Sequence, residues 1–134
     1  MIHKVSVVVL FYICTLGSSI VYANQVSIIN AELESQSGLW VVRVTLQHID
    51  KGWEHYADVW RIVANDGTIL AERILSHPHV DEQPFTRNLS GVQIPASTKK
   101  IYIEAHDNVH GWGKEKLLID MSIAKGKDYQ IRSH

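Results

Sequence analysis

Two histidines flank a proline in the stretch Ser76-His77-Pro78-His79-Val80-Asp81-Glu82-Gln83-Pro84-Phe85. Pro78 biases His77 toward an extended or polyproline backbone, in which residues two apart project to the same side, so the two imidazoles are predicted to aim at one point. That is the geometry of a metal-ligand pair. A second pair, His106 and His110, brackets Asp107 and Asn108, and His48 and His55 bracket Asp50, Gly52 and Glu54. Taken singly, each group is also what an ordinary loop contains: a proline-stiffened turn, or a hairpin held by Asx-type hydrogen bonds. Their combination is the signal, because a metal site draws imidazoles from several segments to one place.

Ligand type narrows the metal. Beyond residue 23 the chain has no cysteine and only Met121 as a thioether, so soft copper(I), iron–sulfur and blue-copper sites lack suitable ligands. Neutral imidazoles suit zinc, copper(II), nickel or iron(II), and zinc or copper(II) is the expected cofactor. The expected ligands are His77, His79 and His106, with His55 or His110 as a fourth. Asp81 or Asp107 serves as an alternative ligand or as the acceptor that orients a ring. Three ligands plus water permit hydrolytic or redox chemistry, whereas four close the site.

Trp53, Tyr56 and Trp112 fall in the same loops, with Glu82 and Asp107 nearby. Aromatic side chains on loops anchor protein, peptide or sugar partners, and the neighbouring carboxylates supply hydrogen bonds. This is a second function of a different class. Nucleophilic catalysis has little support, since Ser76 beside His77 lacks a strained elbow. A glycine-rich phosphate loop and a cofactor fingerprint are also missing.

The elements that must hold these loops read as strands. Trp40, Val42, Val44 and Leu46 alternate with Val41, Arg43, Thr45 and Gln47, the two-residue period of a half-buried strand, and His48 continues the inward parity. Residues 25–30, 57–64, 68–75, 86–94, 100–105 and 115–121 read as further strands. Asn65-Asp66-Gly67 is a tight turn, Ser90-Gly91 a bulge, and residues 32–38 a polar connection. No stretch carries a convincing amphipathic helical period. About seven short strands with frequent turns predict an all-β, immunoglobulin- or fibronectin type III-like antiparallel sandwich.

In such a sandwich, loops alternate between two ends. Those after the second, fourth and sixth strands carry His48, His55, His77, His79, His106 and His110, and parity predicts that all of them emerge at one rim. Loops at one end of a rigid sandwich are where binding sites are usually built.

The 134 residues divide into a signal peptide (1–23), one sandwich domain (24–124) and a flexible basic tail (125–134). Lys4 precedes an apolar run, Val5 to Leu16, and a small-residue stretch ending Val21-Tyr22-Ala23, the anatomy of a secretory signal cleaved after Ala23. The apolar run is short for a spanning helix, so no membrane contact is expected after cleavage. The only cysteine, Cys14, lies inside this segment, so the domain must be stable without disulfides in a periplasmic or secreted setting. Removing Lys4 leaves 13 − 1 = 12 basic residues against 14 acidic ones, which argues against nucleic acid as a partner.

Histidines on a disulfide-free β-sandwich resemble, in architecture and ligand type, copper-carrying periplasmic proteins and copper–zinc superoxide dismutases. The dismutases' disulfide cysteines and the methionines of many carriers have no counterpart here. The expected function is transition-metal binding at the histidine rim by a carrier, sensor or accessory protein rather than turnover. The alternative is non-enzymatic recognition of a protein or glycan.

Overall fold

A computed structural model of the chain describes Val8, Val9 and residues 24–133. Apart from Val8 and Val9, the expected signal segment with Cys14 lies outside the described residues, as does His134. The described residues form an all-β structure with the strands β1 (Ser27–Gln36), β2 (Leu39–Gln47), β3 (Ala57–Ala64), β4 (Ile69–Ile74), β5 (Phe85–Val92), β6 (Lys100–Asp107), β7 (Gly111–Asp120), β8 (Lys125–Gly126) and β9 (Tyr129–Arg132). Among these residues no helix is long and apolar enough to cross a membrane.

Two sheets enclose one apolar core, with strand orders β5-β2-β1-β9-β8 and β4-β3-β6-β7. The alternation seen in β2 buries Val42, Val44 and Leu46, which meet Leu33 of β1, Trp60 and Ile62 of β3, Phe85 of β5, Ile101 and Ile103 of β6 and Ile119 of β7. Each fully buried side chain of this size contributes about 1.5–3 kcal/mol, so this core supports a domain without disulfides. The tight turn at Asn65-Asp66-Gly67 joins β3 to β4, with Gly67 at φ 90°. Pairing of β2 with β5 shifts register opposite Ser90-Gly91, where the sequence predicts a bulge.

Three segments depart from expectation. The polar stretch 32–36 continues β1, because Ala31 and Leu33 are buried while Glu32 and Glu34 lie on the other face. Ser37 and Gly38, both at positive φ, then make the two-residue turn into β2. β7 starts at Gly111 rather than near Glu115, so the loop before it shrinks to three residues. The expected frayed tail instead forms β8 and β9. Tyr129 and Ile131, two apart, pack on the core, and β9 pairs in parallel with β1 through Ala31↔Tyr129 and Leu33↔Ile131.

Candidate metal centre

Three loops meet at one rim: β2–β3, β4–β5 and β6–β7. Buried Asp50 ties the first two together. Its Oδ1 accepts from the backbone N–H of Ala57 at 3.1 Å and lies 2.6 Å from His48 Nδ1, while Oδ2 accepts from the backbone N–H of His79 at 2.7 Å. Gln83 strengthens the seam, accepting from His48 N at 3.0 Å and donating to the His79 carbonyl at 2.9 Å. Asn108 does the same for the third loop: its Oδ1 accepts from Tyr56 N at 2.9 Å and its Nδ2 donates to the Trp53 carbonyl at 3.0 Å.

Within this frame one atom each from His48, His55 and Asp107 lies within 4.8 Å of the others. His55 Nε2 stands 3.1 Å from Asp107 Oδ1. That is a hydrogen-bond distance, and it also falls in the range of about 3.0–3.4 Å that separates adjacent ligands about 2.1 Å from one ion.

His110 adjoins this group. Its Nδ1 lies 3.1 Å from Asp107 Oδ1, and its ring meets that of His55 edge-on with centroids 5.0 Å apart. His48 in turn meets His55 at 4.7 Å. Asp107 is the hub of the group. Burial pushes its carboxyl up, but the backbone donors of His110 and Val109 and the adjacent His110 ring outweigh this and hold its pKa below the ordinary value. It is therefore a buried anion facing imidazoles. The Asp50–His48 contact fixes the orientation of the His48 ring, as carboxylate–imidazole pairs do in metal sites. The other nitrogen of His48, Nε2, meets the Asn24 carbonyl oxygen at 2.8 Å, a contact that must open if that nitrogen is to coordinate.

The remaining expected site residues divide between this rim and other surfaces. His106 is not in the group: its Nδ1 pairs with Asp58 Oδ1 at 2.5 Å and its ring packs edge-on against Trp112. The strand period explains why, since consecutive residues of β6 point to opposite faces and Asp107 takes the inward one. Asp81 is exposed, and Glu82 is engaged with Arg87 at 3.0 Å. His77 and His79 adjoin each other, with ring centroids 4.6 Å apart, and are linked to the group through Asp50 and Gln83. Burial, with Arg87 and His77 adding to it, lowers the pKa of His79 and favours its neutral ring.

The expected aromatic surface is split as well. Trp53 is 65% exposed and meets Tyr56 edge-on at 5.5 Å, whereas Trp112 lies on the outer face of the four-stranded sheet beneath Arg61, 3.6 Å from its ring centre. The ligand set expected from sequence omitted His48, although its inward parity after Val42, Val44 and Leu46 was visible. The same parity through Ile101, Ile103 and Ala105 leads to Asp107.

No family model matches the chain. A putative lipoprotein of Halomicrobium mukohataei is 33% identical over 98 residues, covering 72% of this chain and 48% of that protein, so the chain spans about half the length of the curated relative it matches. Among solved structures, a superoxide reductase (neelaredoxin) from Archaeoglobus fulgidus is a distant likeness, with a TM-score of 0.39 and 11% identity over 73% of this chain and 87% of that one.

Proposed function

We propose that this protein binds a transition metal, zinc or copper(II), through His48, His55, Asp107 and His110, as an exported carrier, sensor or accessory protein. The observation that carries the reading is the convergence of two imidazoles from the β2–β3 loop and a buried carboxylate at the end of β6 within 4.8 Å, with a third imidazole beside them. Imidazole and carboxylate donors also suit iron(II), so the ion is settled by titration rather than by donor type.

The sheet orders support the immunoglobulin or fibronectin type III reading of the fold, because β5-β2-β1 faces β4-β3-β6-β7 in the manner of those sandwiches. The lipoprotein relative and the apolar N-terminal segment support export. Periplasmic or secreted residence and cleavage after Ala23 belong to this proposal.

The test is a thermal melt of the full chain with zinc, copper(II) or iron(II). At a hundredfold excess over Kd, binding adds about 2.7 kcal/mol, a rise of about 10 °C or more for a domain of this size. No rise with any of the three ions removes the reading. A second function, recognition of a protein or glycan, is favoured by one observation: Trp53 presents its indole to solvent at the same rim, braced by Tyr56.

A further inference from the structure

The imidazole of His79 is almost fully enclosed, 5% exposed, and neither of its ring nitrogens has a hydrogen-bond partner among the described residues. A buried donor or acceptor left unpaired is costly, and native structures rarely keep one without a bound water or ion to satisfy it. The ring is also held in place. Its backbone is pinned by Asp50 on the N–H side and by Gln83 on the carbonyl side, and its face stacks on Phe85 at 4.1 Å with the planes 8° apart.

A second imidazole adjoins this ring. His77 is exposed, tilted 39° to His79 with centroids 4.6 Å apart. Its Nδ1 lies 3.0 Å from the Pro78 carbonyl oxygen. A carbonyl only accepts, so Nδ1 carries the proton and the lone pair of the neutral ring is on Nε2.

We propose that His77 and His79 form a second metal position, separate from the Asp107 group, that takes a divalent transition-metal ion through His77 Nε2 and a ring nitrogen of His79. The inference rests on the reading of this rim as metal-binding and adds a site to it. The two halves differ in a way that suits ion exchange. His79 is fixed and shielded, while His77 stands on the solvent side and can swing away to admit the ion. Two protein donors leave half of a four-coordinate shell to water or to a ligand from another molecule. Such a position loads and unloads more readily than one closed by a buried carboxylate.

The experiment counts zinc and copper(II) ions per full chain by equilibrium dialysis and follows the His77 and His79 ring signals by NMR during copper(II) titration. Wild type should bind two ions, with both rings broadened. His77→Phe keeps a ring beside His79 but removes the lone pair, and should bind one ion with an unchanged melting temperature in the absence of metal. Asp107→Asn should also bind one, and that one should still broaden His77 and His79. If wild type binds a single ion that His77→Phe retains, the second site is overturned while the Asp107 centre stands. If His77→Phe loses the only ion and Asp107→Asn keeps it, the His77–His79 site stands and the Asp107 centre falls. No binding at all overturns both.

Discussion

His55 Nε2 and Asp107 Oδ1 lie 3.1 Å apart although 52 residues separate them in the chain. One group sits at the end of the β2–β3 loop and the other at the last position of β6. Strands β3 and β6 pair directly, with Ala57 opposite Asp107, and this pairing brings the two together. Sheet register, rather than local sequence, thus sets the spacing that a metal would use.

Asp107→Asn separates ligation from scaffolding. Asparagine keeps an oxygen that can accept from the Val109 and His110 backbone donors at 2.9 and 2.7 Å. Stability without metal should therefore change by only about 1 kcal/mol. The part of the metal-dependent rise in melting temperature that the Asp107 centre supplies should vanish, because the anionic ligand is gone, leaving only what an ion at His77 and His79 adds. A variant that keeps the full rise would show that the carboxylate is not a ligand.

Asp50→Ala should be far more damaging to the fold. It strips the backbone N–H groups of Ala57 and His79 of their acceptor and leaves the buried His48 ring without its carboxylate. Unpaired buried donors cost about 1–3 kcal/mol each, so a loss of about 3–5 kcal/mol is expected in urea denaturation. Asp50→Asn, which still offers one acceptor oxygen, should lose less.

Glu104 gives a pH signature outside the metal rim. It is 6% exposed, and burial pushes its carboxyl up, but Lys116 at 3.0 Å and Arg61 at 2.8 Å outweigh this and hold its pKa below the ordinary value. A carboxyl that is more acidic when folded adds stability that is fully present above its unfolded pKa, about 4.3, and that disappears as the pH falls through the lower folded value. Glu104→Gln should therefore cost about 1–3 kcal/mol at pH 7 and progressively less below pH 4. A cost that stays constant from pH 7 to pH 3 would contradict the ion-pair account.

Tyr129→Ala tests whether the C-terminal strands belong to the fold. Tyr129 is 6% exposed, its hydroxyl donates to the Asp120 carbonyl at 3.2 Å, and its ring lies against Gly126 so closely that a Cβ there would collide with it. Truncation should cost about 3–4 kcal/mol by analogy with other buried aromatics. Gly126→Ala should destabilise through the clash alone. Stability unchanged in both would mark β8 and β9 as dispensable.

Strand periodicity was the most readable feature. Alternation marked β2 and β6, and the Asp-Gly turn and the Ser90-Gly91 bulge were visible because each depends on a few adjacent residues. The C-terminal strands were not visible, since Tyr129-Gln130-Ile131 is short and its partner is β1, a hundred residues away. Polarity misled at residues 32–36, where Glu32 and Glu34 occupy the outward positions of a strand whose inward ones are apolar.

By itself, the sequence determined the ligand chemistry: imidazoles and carboxylates, and no thiol in the described domain, placed in segments that connect strands. It also showed which residues were inward by parity, His48 among them. The tertiary structure decided which of those groups meet. His106 and Asp107 are neighbours in sequence, yet the pleat sends one to Asp58 on the outer face and the other to His55 at the buried rim. Side-chain direction follows from local backbone geometry, but the partner found in that direction depends on how the sheets pair and pack.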